Sequence, residues 1–268
     1  MTESAQRTGR LENKVAIVTG AGRGIGRGIA LRFGDEGAKV VIASRTGSRV
    51  DEVVREIEGR GGTAIGITCD VGDQDQIKST VARTVEAFGA IDILANVAQG
   101  FGTPSEPAGS PVITPLEDYR DAEWEYTFRT GATATLWAMK AVFPHMKERG
   151  GRIINFGSKW GVEGYPGSVA YNATKEAIRA LTRTGAREWG KYGIRVNCIN
   201  PVIATDAATA VAKDRPDLME QLVKLTPAGR LGEPYRDAGG LALFLASEES
   251  DFMTGHTFPL DGGYTIFG

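Results

Sequence analysis

Short, almost unbroken apolar runs recur along this chain, each parted from the next by a longer amphipathic segment. Val15-Ala-Ile-Val18, Val40-Val-Ile-Ala43, Ala64-Ile-Gly-Ile67, Ile91-Asp-Ile-Leu-Ala95, Arg152–Phe156, Arg195–Asn200 and Thr257–Leu260 read as strands. Strands without polar alternation have both faces covered, the condition of a parallel sheet with crossover helices. Between them the spacing predicts helices over about 24–36, 48–58, 73–87, 122–147, 169–189 and 235–245. In the third of these, Ile77, Val81, Val85 and Phe88 fall at helical spacing. No linker, repeat or low-complexity segment interrupts the alternation. The expectation is α/β: a single doubly wound parallel sheet with helices on both faces (Rossmann-like), over residues 11–268, after a flexible polar leader over 1–10. Ligands of such sheets bind in the crevice at the carboxyl ends of the strands.

Composition narrows the function. With 31 basic and 33 acidic side chains in 268 residues, no basic field awaits a nucleic acid or an acidic membrane surface. The longest uncharged apolar stretch, Thr130–Met139, is half of what a membrane span needs, and no signal peptide is visible, so a cytoplasmic protein is expected. Two cysteines, Cys69 and Cys198, read as reduced core thiols. Two histidines without metal-ligand spacing argue against a metal site. Glycine is the outlier at 36 residues, which points to turns and close backbone approaches.

The first strand ends in Thr19-Gly-Ala-Gly-Arg-Gly-Ile-Gly26 and runs straight into a helix. Gly20, Gly24 and Gly26, with Arg23 and Ile25 between them, suit a turn that brings backbone N–H groups onto a pyrophosphate at a helix N-terminus. A tight strand-to-helix turn with no ligand is the alternative. Where an NAD site wants an acid for the ribose 2′-hydroxyl, the second strand ends in Ser44-Arg45. A guanidinium can grip a 2′-phosphate bidentately where a carboxylate would repel it, so NADP is expected over NAD.

Tyr171-Asn-Ala-Thr-Lys175 opens an amphipathic helix and puts a phenol and an amine one turn apart on one face. A free phenol titrates near 10, too high for acid–base work at neutral pH. A neighbouring ammonium favours the phenolate, the positive ring of an oxidised nicotinamide would add to it, and a downward shift of ~3 units asks for about 4 kcal/mol from the two charges together. Ser158 follows the strand Arg152–Phe156 at its carboxyl end, where a hydroxyl could polarise a carbonyl oxygen.

These pieces, with Asp70-Val71, Asn96, Asn200-Pro201 and Asp261-Gly262-Gly263 in order, make the chain resemble the short-chain dehydrogenase/reductase family, 3-oxoacyl-reductase-like members included, over roughly 11–264. The resemblance implies that Tyr171 is the general acid that protonates a carbonyl oxygen as hydride arrives, and the base in reverse. It implies that Lys175 holds the nicotinamide ribose and acidifies Tyr171, and that Ser158 bonds the carbonyl oxygen. Asp70 and Val71 would contact adenine, Asn96 the ribose region, and Ile203 and Thr205 the carboxamide end. The substrate would be a small-molecule ketone or alcohol, and the assembly a homotetramer built on helices 122–147 and 169–189. A dinucleotide-binding sensor or subunit with weak catalysis is the competing reading.

Three places depart from that family pattern. Gly131 stands where the usual relay asparagine falls, and a water filling the missing amide's place is one expectation. The usual Asn-Asn-Ala-Gly reads Asn96-Val97-Ala98-Gln99, and the usual Pro-Gly reads Pro201-Val202. The proline-bearing loop over 100–119 is expected to form one wall of the substrate pocket, with Trp160 and Tyr165 as further candidates, and 205–227 a lid opposite.

Overall fold

The computed structural model describes residues 9–204 and 216–265, so Thr205, much of the segment expected as a lid and most of the expected leader lie outside the described residues. The first half runs β1 (Val15–Thr19), α1 (Gly24–Asp35), β2 (Lys39–Ser44), α2 (Gly47–Gly59), β3 (Thr63–Thr68), α3 (Gln74–Phe88) and β4 (Ile93–Asn96). A short hairpin follows, β5 (Phe101–Gly102) and β6 (Pro107–Ala108), then α4 (Asp121–Phe128), α5 (Ala134–Met146) and β7 (Gly151–Phe156). The chain continues with α6 (Lys159–Glu163), α7 (Val169–Trp189), β8 (Ile194–Pro201), α8 (Pro216–Lys224), α9 (Gly239–Ala246) and β9 (Thr257–Leu260).

Seven strands form one sheet in the order β3-β2-β1-β4-β7-β8-β9, every pair parallel. Strand order reverses between β1 and β4, which opens the crevice of a doubly wound sheet above those two carboxyl ends. Neighbouring residues of one strand serve opposite layers. Val18 packs with Ile29, Phe33 and Leu243 on one face, while Ile17 packs with Leu94, Met139 and Val142 on the other. Two apolar layers on one sheet are the physical reason for the unbroken apolar runs.

Helix α3 starts one residue after the expected Asp73, because Asp73 is its cap and accepts hydrogen bonds from Asp75 N and Gln76 N. The single helix expected over 122–147 is instead interrupted. Between α4 and α5, Arg129–Thr133 forms one wide turn of π-helix. A second such turn, Pro234–Ala238, precedes α9 and overlaps the start of the span 235–245 expected as one helix.

Buried polar contacts fix α7 to the sheet. Asn96 Nδ2 donates to Asn155 Oδ1 at 2.9 Å, and Asn155 Nδ2 donates to Thr182 Oγ1 of α7 at 3.0 Å. Thr182 Oγ1 donates in turn to Ile178 O at 2.9 Å. Such a fully paired interior network sets register more than stability. Among the described residues no helix is long and apolar enough to cross a membrane.

Candidate active site

Three elements converge at the carboxyl end of β7. Just past this strand, Ser158 caps α6, its Oγ accepting from Trp160 N at 3.2 Å, which leaves the hydroxyl proton free to donate elsewhere. Tyr171 lies in the first turn of α7, and Lys175 one turn on places Nζ 5.4 Å from the centre of the Tyr171 ring. Lys175 Nζ donates to Phe156 O at 2.9 Å, tying α7 to the last residue of β7.

Glycines let α7 settle this deep. A Cβ on Gly161 would lie 3.1 Å from Asn172 O and 3.2 Å from Lys175 Cβ. One on Gly131, in the wide turn, would fall 2.3 Å from Thr174 Cγ2. The segment of α7 that carries Tyr171 and Lys175 is therefore gripped on both flanks by backbone that carries no side chain.

Burial dominates the electrostatics of the pair. Burial pushes the Tyr171 phenol above its usual range, and the Ser158 hydroxyl, which favours the phenolate, offsets only part of this. Burial also pushes Lys175 down to about 8, with Cys198 acting in the opposite direction. Cys198 is itself raised by burial to about 11. Desolvation disfavours the charged form of each group, the phenolate of Tyr171 and the ammonium of Lys175 alike.

Aromatic rings enclose the phenol. Phe101 of β5 meets Tyr171 edge-on at 5.6 Å between centroids. From the other side Trp160 meets it at 6.1 Å and 90°. Trp160 in turn stacks on Tyr165 at 4.2 Å, 9° from parallel, and Tyr165 is 41% exposed. The loop over 100–119 runs past this cluster, and Thr114 N donates to Gly167 O at 3.0 Å.

Beyond the phenol, the glycine turn is shaped for a dinucleotide. Gly20 has φ 67° and Gly24 φ 53°. A Cβ on Gly20 would lie 2.9 Å from Ala98 Cα, and one on Gly26 2.4 Å from Gly20 O. A bare turn opening onto the N-terminus of a 12-residue helix fits a pyrophosphate. Arg23 is the exposed residue at that N-terminus, and Ile25 packs half-buried behind it. Ser44 closes the turn, 3.0 Å from where a Cβ on Gly22 would stand. Arg45 is held by a bond from Nη1 to the Tyr126 hydroxyl at 2.7 Å.

Other expected cofactor residues sit differently. Asp70 Oδ1 accepts from Gly72 N at 2.8 Å, so that carboxylate also shapes its own turn. Val71 is buried in the core layer shared with α3 and α5, and the Asn96 amide bonds inside the sheet to Asn155. Ile203 is buried and pairs with Gly232, so the backbone after Pro201-Val202 is fixed without the usual glycine.

Arg49, Tyr126 and Thr174 were not singled out in the sequence, whereas Gln99 was, as a departure at the β4 turn. Arg49 of α2 brings a further cation to the turn, its Cβ 3.2 Å from where one on Gly22 would be. Tyr126 anchors Arg45. Gln99 and Thr174 occupy the space beside Gly131, where a water was one expectation: a Cβ there would fall 2.5 Å from Gln99 Oε1. A basic residue in the first turn after Ser44-Arg45 was the signal for Arg49. Nothing local marked the other two. Among the described residues no cluster of His, Cys, Asp or Glu could hold a metal ion.

Known proteins share this arrangement at length. Residues 20–265 match the family model described as enoyl-(acyl carrier protein) reductase. The chain is 34% identical over 262 residues to a 12α-hydroxysteroid dehydrogenase of a Clostridium species, covering 95% of this chain and 98% of that one. It is 33% identical to a 3-oxoacyl-(acyl-carrier-protein) reductase of Thermotoga maritima, over 96% of this chain and 100% of the relative. A solved 7α-hydroxysteroid dehydrogenase, in complex with NADH and 7-oxo glycochenodeoxycholic acid, superposes with TM-score 0.86 at 32% identity, covering 95% of each chain. With the parallel sheet, the glycine turn and the Tyr171–Lys175 helix in place, the chain belongs to the short-chain dehydrogenase/reductase family and is an NAD(P)-dependent enzyme acting on hydroxyl and keto groups.

Proposed function

We propose that this enzyme interconverts a ketone and a secondary alcohol with NADP as its preferred cofactor and Tyr171 as general acid and base. The observation that carries the reading is the meeting of Ser158, Tyr171 and Lys175 beside the crevice between β1 and β4. A nicotinamide dinucleotide bound there supplies or takes up hydride. Gly20, Arg23, Gly24, Ile25 and Gly26 would hold its phosphates, Ser44 and Arg45 its adenosine ribose, and Asp70 and Val71 its adenine. Asn96, Ile203 and Thr205 would line the nicotinamide half.

The chain's own side chains do the proton work. Ser158 is free to donate its proton to a carbonyl oxygen, since its Oγ already accepts from Trp160 N. Tyr171, kept neutral by burial, is poised to give its proton to the same oxygen during reduction. In the alcohol direction the phenolate takes that proton back. Lys175, held against Phe156 O, keeps a positive charge beside the ring and would reach the ribose hydroxyls.

For cofactor choice, Arg23, Arg45 and Arg49 gather at the β1–α1 and β2–α2 turns, and none forms an ion pair among the described residues. Guanidinium groups with no carboxylate partner favour a 2′-phosphate. The aromatic surround of Tyr171 and the hydroxysteroid-active relatives support a cyclic, apolar ketone as substrate. Exposed Trp124 and Leu136 on α4 and α5 support a homotetramer built through these helices. Buried free Cys69 and Cys198 support a cytoplasmic home.

Replacing Tyr171 by Phe tests the assignment. Oxidation of NADPH with a panel of ketones should fall at least on the order of a hundredfold in kcat, with NADPH binding intact. Full turnover in that variant refutes the reading.

A further inference from the structure

Gln99 follows β4, and its side chain enters the wide turn between α4 and α5. Nε2 donates to Thr127 O at 2.9 Å and to Gly100 O at 2.9 Å. Next to it, Gly100 N donates to Thr130 Oγ1 at 3.1 Å, and Thr130 Oγ1 donates to Tyr126 O at 2.8 Å. The segment after β4 is thus sewn to the helix over residues 126–130. A π-turn slips the helical hydrogen bonds by one residue and leaves a carbonyl in need of a donor from elsewhere. Gln99 donates to Thr127 O beside this turn, and the Thr130 hydroxyl lies 3.5 Å from the same oxygen.

The other end of the amide has no partner. Gln99 Oε1 is buried and accepts no hydrogen bond. A flipped amide would set this oxygen against two carbonyl oxygens, so the donor bonds alone fix its orientation. Oε1 and Cδ then come 2.5 and 3.1 Å from where a Cβ on Gly131 would stand. Any side chain at 131 would displace Gln99, and it would also strike Thr174 Cγ2 at 2.3 Å. Thr174 precedes Lys175 on α7. The two departures from the family pattern, an amide at 99 and none at 131, therefore meet in one place.

We propose that Gln99 and Gly131 form a single positioning unit for Lys175. The carboxamide that braces the wide turn is delivered from the β4 turn, and residue 131 must be glycine to admit it and to let Thr174 close on the turn. Packing of α7 on this brace holds Lys175 against Phe156 O, and the proposal rests on the reading of Tyr171 and Lys175 as the proton-handling pair.

A double-mutant cycle over Gln99→Gly, Gly131→Asn and the pair tests this, with Gln99→Met as a variant that keeps bulk but loses the donor. Each single change should lower kcat on the order of tenfold or more and lower Tm. The pair should recover part of both: removing Gln99 frees the space its Oε1 fills and an amide again braces the turn, now from the helix, while the Cβ at 131 still meets the movable Cγ2 of Thr174. Gln99→Met should lower kcat with the ketone KM unchanged and shift the high-pH limb of the rate profile, which loss of packing alone would not do. Full kcat in Gly131→Asn, or a pair no better than the worse single variant, overturns the proposal. The Tm cycle reads the coupling without any turnover, so failure of the coupling is distinguishable from failure of the Tyr171 assignment.

Discussion

Lys175 Nζ reaches Phe156 O at 2.9 Å, and this neutral carbonyl is the hydrogen-bond acceptor it has among the described residues. The side chain is buried, with its pKa pushed from 10.5 down to about 8 by desolvation. At pH 7 both folded and unfolded chains carry the proton, so the folded protein bears the cost of a buried ammonium, about 3 kcal/mol. Lys175→Met should therefore be more stable than the native protein at pH 7, by about 1–3 kcal/mol after the lost hydrogen bond is counted, and inactive. Between pH 8 and 10.5 the unfolded chain binds more protons than the folded one, so native stability rises with pH and the gap closes. Urea unfolding at pH 7 and pH 10 measures it. A variant less stable at pH 7 would mean that the ammonium is better paired than this geometry allows.

Burial drives the phenol and the amine in opposite directions, which sets two pH profiles. Tyr171 is raised, so the proton-donating form prevails through neutral pH, and ketone reduction should be level from about pH 6 to 8. Above about 8 the charge on Lys175 is lost and reduction should decline. Alcohol oxidation needs the phenolate and should still be climbing at pH 9. Profiles of kcat/KM in both directions report the free enzyme and check this directly. An oxidation plateau reached by pH 7 would contradict the direction found for Tyr171.

One nitrogen of Arg45 is committed to the Tyr126 hydroxyl on α4, which leaves the rest of the planar fork to meet an anion. Immobilising a guanidinium in advance saves ordering entropy on binding. Tyr126→Phe should weaken NADPH binding about threefold to tenfold and leave NADH unaffected. Arg45→Ala should weaken NADPH on the order of tenfold to a hundredfold, again sparing NADH. Calorimetric titration of both cofactors decides. Equal losses for NADH and NADPH would place the hydroxyl in service of the fold alone.

What could be read beforehand follows from how local each cause is. Helix 169–189 and strand Thr257–Leu260 have the bounds expected from the sequence, because periodicity alone sets them. The break at Arg129–Thr133 was hidden, since the stretch carries no proline and the side chain bonded beside it, Gln99, comes about thirty residues earlier in the chain. Val97 cast doubt on the β4 turn, yet Thr19 Oγ1 holds it by accepting from Val97 N at 3.0 Å and Ala98 N at 3.2 Å. These bonds use backbone N–H groups, which are indifferent to the side chain. The burial of Tyr171 was not legible for the complementary reason. Its neighbour Lys175 is visible in the sequence, but the desolvation that dominates comes from residues of other elements, Phe101 and Trp160 among them.

The stacked pair of Trp160 and Tyr165 predicts how the substrate is chosen. Trp160 stands perpendicular to the phenol, and the Tyr165 ring beyond it is partly exposed, so the two rings form an aromatic wall beside Tyr171 against which a substrate can lie. A flat alicyclic or aromatic ketone buries area against such a wall, worth about 1–3 kcal/mol, whereas a small open-chain ketone has little surface to bury there. Trp160→Ala should raise KM for a bicyclic ketone on the order of tenfold or more while changing KM for a four-carbon ketone less than about threefold. Steady-state rates with both substrates, alongside Tm, separate the cases. If both KM values rise together and Tm drops, Trp160 is packing for Tyr171 and not a surface for substrate.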